Sequence, residues 1–283
     1  MKKSQARTWY AAIAIFVFLI AVKLHDMMNS FHFYRAFRHQ SVYLANILLN
    51  SVQIGLVSLG LSLTHRIGPK RILRELGLLA PPGRAFTFAF LASLPMLIGF
   101  ALSTKLHLSV IGLLTWTVIA PITEEIGFRG YLFRQLYRRA GWGFWPAALI
   151  NSLLFALLHV YQAFLGEFNV WELVGIVAIT GLGGWFFAWL FVRWQDNLWV
   201  PIALHIFMNT WWEVFAIDQT ALGGWIANGT RILTVIIAVV LTIYKDRIWK
   251  PLPVEPQPAM DQNHKRAEDS PYQRALDVAQ AQA

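Results

Sequence analysis

Residues 143–165 read GFWPAALINSLLFALLHVYQAFL, an uninterrupted apolar stretch without a single Lys, Arg, Asp or Glu. A helix needs about 20 mainly apolar residues to cross a bilayer, and this stretch has them. It also carries His159 well inside the run. Working outward, comparable runs lie at roughly 8–23, 42–64, 85–104, 107–126, 171–192, 197–217 and 230–244. This pattern predicts an all-α, polytopic integral membrane bundle of about eight transmembrane helices.

The bulk composition agrees. The 283 residues are 57% hydrophobic and 14% charged, where a soluble domain carries about 25% charged residues. No composition break interrupts the first 250 residues, which read as one integral membrane domain. From Pro251 to Ala283 the chain is Pro-rich and then polar, the composition of a disordered tail with a short helix near Ser270–Ala283. Lys2, Lys3 and Arg7 precede the first run in the manner of a signal peptide. No small-x-small cleavage pattern follows, so the first run is expected to stay as an uncleaved span.

The net charge of +9 does not point to nucleic acid, because the basic residues sit mostly in short loops between apolar runs. With eight spans, 19 of the 24 Lys and Arg fall on the side that holds both termini. The positive-inside rule then makes both termini cytoplasmic. Residues 65–84 read as a basic cytoplasmic loop, and 130–141 as a helix extension or an interfacial amphipathic segment. Cysteine is absent, which excludes disulfides, a thiol nucleophile and thiolate metal sites. A compact chain without cysteine leans toward a bacterial inner (plasma) membrane, with membrane lipid as its surroundings.

Against this background a few polar residues stand out. An ionisable group inside a bilayer costs about 2.5–3.5 kcal/mol on insertion scales, so it is a functional candidate by default. Glu124 and Glu125 close the fourth run, His159 lies in the fifth, and His205, Asn209 and Glu213 lie in the seventh. Residues four apart share a helix face. Glu125 is so placed with Arg129, Phe155 with His159, and His205 with Asn209. If three such stripes converged, they would form a small polar pocket. A carboxylate and an imidazole can polarise one water, and a second imidazole and an amide can donate to a developing oxyanion. The set suits amide hydrolysis by activated water. Plainer readings exist for each member: packing histidines, Asn209 as interhelical glue, and the glutamates as a span end. Glu213 reads as a pocket-wall or interfacial residue. Gly181, Gly183 and Gly184 read as a close-packing face, and Trp211 and Trp212 as packing or as lining of a substrate cleft.

Glu124-Glu125-Ile-Gly-Phe-Arg129, then Phe155-x-x-x-His159, then His205-x-x-x-Asn209, resembles the EExxxR, FxxxH and HxxxN signatures of the CPBP family. That family includes type II CAAX prenyl endopeptidases and bacterial bacteriocin-processing and immunity-type (Abi-like) proteins. Each pattern alone is weak; three in order, on separate expected spans, are more specific. The resemblance covers roughly residues 107–217. It implies an intramembrane endopeptidase acting on a peptide or protein substrate that is membrane-tethered in some members. Glu124 would be the water-activating base and His159 its partner, with His205 and Asn209 on the oxyanion side. Glu125 and Arg129 would be a structural pair. A non-catalytic membrane binding or immunity protein of the same family is the alternative. Glu124, His159 and His205 are also the candidate ligands for a divalent metal such as zinc. HExxH is absent, and no obligatory metal is expected.

Depth supplies an internal condition. At 1.5 Å per residue, Glu124 lies about 21 Å from Arg138 and His159 about 24 Å from Gly143, a match only if the fourth helix continues past its motif. His205 lies about 12 Å from Asn197, which is shallower, so it requires a tilt or a displaced helix start.

Overall fold

The structure is a computed structural model that describes residues 3–106 and 113–249. The expected tail from Pro251, and the start of the fourth run at 107–112, lie outside the described residues. The chain forms two compact units, Met1–Lys245 and Asp246–Ala283. The second is described only to residue 249.

The first unit is an all-helical membrane bundle, with no strand among the described residues. Its helices are α1 (Lys3–Ser30), α2 (His32–Gln40), α3 (Val42–His65), α4 (Pro69–Leu76) and α5 (Gly83–Ser103). A continuous helical stretch, α6, covers 113–139. Then come α7 (Phe144–His159, extended by a 3-10 turn Val160–Phe164), α8 (Val170–Arg193), α9 (Trp199–Val214) and α10 (Trp225–Ile243). Among the described residues, six helices are long and apolar enough to cross a membrane: Arg7–Leu24, Val42–His65, Gly83–Ser103, Phe144–Phe164, Val170–Arg193 and Trp225–Ile243. Their outward faces are apolar. Leu63, Leu102, Leu149 and Leu182 are exposed, as lipid-facing side chains are. The two remaining expected spans are α6 and α9.

One segment is more ordered than the loop expected from the sequence. The basic 65–84 stretch contains a helix, α4, with Pro69 in its first turn and Gly77 closing it at φ 82°. These are the positions each residue type favours. α8 runs unbroken through Gly181, Gly183 and Gly184, and Gly184 packs closely on Ser152 of α7.

α6 is the hub of the unit and packs against α1, α3, α4, α7, α8 and α9. It continues past Glu125 to Arg139, and from Phe128 through Leu136 it is buried without interruption. The segment is therefore enclosed by protein and is not an interfacial strip. Three stretches of it, Thr115–Ile119, Ile126–Phe133 and Gln135–Arg139, are wound as π-helix. Ala140 N–H accordingly donates five residues back, to Gln135 O, at 2.8 Å. Such winding is rare and concentrates at functional sites. An aromatic run from Phe18 through Phe128 to Phe155, with centroids 4.8 and 4.9 Å apart, packs α1, α6 and α7 together.

Candidate active site

The site is built around Arg129. Its guanidinium is fully buried, as is Glu125, and Nη1–H donates to Glu125 Oε1 at 3.0 Å. Nη2–H donates to the backbone carbonyl of Gly184 at 3.3 Å. Asn151 Nδ2–H reaches the same carbonyl at 3.4 Å. Gly184 can present that carbonyl because α7 and α8 pack closely here. A Cβ at Gly184 would stand 3.0 Å from Ser152 Cα, tighter than the backbone can accept without moving. The small residue thus closes the helix pair and supplies a buried acceptor.

Three phenyl rings approach the cation, Phe128 at 5.7 Å and two more closely. Arg129 Cζ lies 4.7 Å from the Phe155 centroid and 5.2 Å from that of Phe187, both within cation–π range. Each of these two rings in turn meets an imidazole: Phe155 packs at a tilt on His159 at 4.5 Å, and Phe187 stacks on His205 at 5.3 Å. A single buried arginine therefore touches both histidines through one aromatic ring each. Phe155 belongs to a recognised pattern, whereas Phe187 carries no motif. Its only sequence signal is its place three residues after Gly184, on the same face of α8.

His205 meets the carboxylates. Its Nδ1–H donates to Glu125 Oε1 at 2.9 Å, and its Nε2 lies 3.9 Å from Glu124 Oε2. The sequence reading assigned His205 to the oxyanion side and His159 to Glu124. Among the described residues it is instead His205 that adjoins Glu124. No hydrogen bond or ion pair links Glu124 to His159 there. His159 Nδ1–H donates to Phe155 O at 2.8 Å, so the neutral ring keeps Nε2 as an acceptor. Asn209, one turn beyond His205, donates one Nδ2–H to Trp116 O at 3.0 Å and keeps a second N–H. Glu124 is partly open, with its side chain 32% exposed, while Glu125 is closed off. The two adjacent glutamates thus separate into an accessible carboxylate and a buried one tied to Arg129.

His205 reaches both glutamates despite its shallower position counted from Asn197. Asp196 and Asn197 are buried, and Asp196 pairs with Arg134 and Arg138 of α6. Among the described residues no three His, Asp or Glu side chains are grouped closely enough to hold a metal ion. Glu124, His159 and His205 thus do not form a ready ligand set. Glu213, the third member of the α9 stripe, is partly buried.

Comparison with known proteins adds a family to this geometry. Residues 105–211 match the model described as type II CAAX prenyl endopeptidase Rce1-like. The match lies in the central segment of this chain, which is therefore similar to that family. All three polar patterns, from Glu124 to Asn209, fall inside the matched residues. A Bacillus subtilis protein titled "Putative membrane peptidase YdiL" is 31% identical over 102 residues, which is 36% of this chain and 36% of the relative. An Escherichia coli "Uncharacterized 24.3 kDa protein" is 39% identical over 104 residues, 36% of this chain and 42% of the relative. The chain therefore covers well under half of the length of these curated relatives. No solved structure matches it.

Proposed function

We propose that this integral membrane protein is a CAAX-protease-like endopeptidase that hydrolyses a peptide bond with water activated at Glu124. One observation carries the reading: Glu124 Oε2 and His205 Nε2 face each other across 3.9 Å. That is too long for a direct hydrogen bond and suits one shared water. Two bonds of about 2.8 Å to atoms so spaced open at about 90°, close to a water's own angle. A water donating both O–H bonds this way turns its lone pairs outward, toward a substrate carbonyl carbon. Glu124 takes one proton as the C–O bond forms. It returns the proton to the amine as the C–N bond breaks, so the carboxylate is regenerated. The free N–H of Asn209 is available to the carbonyl oxygen, and His159 Nε2 is a second acceptor on the substrate side. Glu125 and Arg129 hold the frame and exchange no proton. This scheme routes nothing through a metal, and treatment with a chelator is expected to leave turnover unchanged.

The substrate is proposed to be a membrane-tethered peptide, and the setting a bacterial inner membrane with both termini cytoplasmic. The test is cleavage of a prenylated CAAX peptide by the full chain in proteoliposomes. Positioned proton transfer contributes about 10²–10⁴-fold, so Glu124→Gln should lower kcat by about that factor with insertion intact. His205→Gln should be comparably damaging. Wild-type cleavage by Glu124→Gln would sink the assignment. Full cellular function in a Glu124→Gln strain would favour the non-catalytic binding or immunity alternative.

A further inference from the structure

The turn that leads into α9 is backbone-strained. Gln195 and Asp196 sit at φ 58° and 59°, a left-handed conformation that non-glycine residues avoid. Such strain persists only where the surroundings over-determine it. Here they do. Leu198 N–H donates to Gly77 O at 3.1 Å. A Cβ at Gly77 would collide with Asp196 O. Trp199 Nε1–H donates to Leu78 O at 3.0 Å, and Asn197 Oδ1 accepts from Trp199 N–H at 3.0 Å to start the helix. The strain delivers the buried Asp196 carboxylate to two arginines of α6, Arg134 Nε at 3.6 Å and Arg138 Nη2 at 3.2 Å. Arg134 is itself anchored, its Nη1–H donating to Arg74 O at 2.9 Å and to Glu75 O.

The spacing gives this clamp a consequence. α6 and α9 run antiparallel, and Arg134 on α6 lies nine residues from Glu125, just as Asp196 lies nine residues from His205. Between these two ties, Gly130 packs against Leu198 so closely that a Cβ there would stand 3.0 Å from Leu198 Cδ2. Two ties, one on each side of this close contact, fix one register and leave no slack for α9 to slide. We propose that Asp196 is a positioning residue: clamped by Arg134 and Arg138, it sets the height of α9 and so holds the His205 imidazole against Glu125 and Glu124. The catalytic consequence rests on the peptidase reading above, while the placement of His205 does not.

The test separates the two. Full-length protein with ¹⁵N-labelled histidine is placed in nanodiscs, and the His205 ring signals are assigned by their loss in His205→Gln. Asp196→Asn should shift the His205 Nδ1 signal, because its carboxylate hydrogen bond is lost or lengthened, and leave the His159 signals in place. Asp196→Glu, which can still reach the arginines, should keep the wild-type position. Arg138→Gln, a change at a partly exposed partner, should give a smaller shift in the same direction; it is the variant read if Asp196→Asn does not fold. An unmoved His205 signal in the folded variant overturns the proposal, and so does an equal shift of His159 and His205. In the cleavage assay Asp196→Asn should lower kcat by about 10- to 100-fold, the scale of a displacement near 1 Å. KM should be little changed, because the lost interaction acts in the transition state. A Glu124→Gln control that still cleaves would defeat the peptidase reading and leave the ring shift to judge Asp196.

Discussion

The six apolar spans and the two site-bearing helices solve the bilayer problem in opposite ways. α3, α5, α8 and their like present Leu, Ile and Val to lipid, with mean hydropathy of 1.6–2.0 over their apolar windows. Only 22–39% of those windows is buried within the unit. α6 carries Glu124, Glu125, Arg129, Arg134, Arg138 and Arg139, yet its second half is enclosed by other helices. α9 is only 16 residues long and begins at the buried Asp196 turn. Charge is therefore tolerated where protein, not lipid, is the neighbour. The apolar helices act as a wall, and the polar ones as the machinery it encloses.

The largest effect is expected from leaving one charge of the machinery alone. Arg129→Ala would strand Glu125 in the interior and remove the cation between Phe155 and Phe187. Removing one partner of a buried pair costs about 3–5 kcal/mol. The variant should unfold at much lower denaturant than wild type in a detergent-mixture titration, and should not cleave. Stability within 1 kcal/mol of wild type, taken as about the error of such a measurement, would mean that the pair is not the keystone described. Replacing both partners by apolar residues should recover much of the stability and none of the activity.

How much of this was legible in the sequence follows from the same contrast. The wall was readable because hydropathy is local: each run announces itself without reference to the rest of the chain. The polar stripes were readable too, since residues four apart share a face wherever a helix forms. The height of His205 was not, because it is set by Asp196 and Arg134, which lie 62 positions apart in the chain. Likewise Phe187 looks like one more aromatic in an apolar helix until Arg129 and His205 both come to pack against its ring. The π-winding of α6 has no sequence signal of its own.

Substitutions at the helix contacts should have intermediate effects. Gly184→Ala would force the α7–α8 contact open and move the carbonyl that Arg129 and Asn151 share. Overpacking of this kind costs about 1–3 kcal/mol. Activity should fall with stability, because the acceptor moves as the helices part. Phe187→Leu keeps apolar bulk but removes the stack onto His205 and the face that Arg129 meets. About 0.5–1.5 kcal/mol is expected from the lost aromatic pair. Here kcat should drop more than stability does, since the ring orients His205 without holding the bundle together. Equal losses from Phe187→Leu and Phe187→Tyr, which keeps the ring, would count against that role.

The weakest effect is expected at Leu182, two residues from Gly184 on the same helix. Its side chain is 70% exposed and faces outward. In water an exposed Leu→Ala change is small; in lipid it should be smaller still, because the hydrocarbon that replaces the lost contacts is as apolar as leucine. Leu182→Ala should therefore stay within about 0.5 kcal/mol of wild type and retain full cleavage. The paired measurement on Gly184→Ala and Leu182→Ala, in one titration, tests the division directly. If the exposed leucine proves as costly as the glycine, α8 has protein on both faces, and the outward surface is a contact with a second molecule.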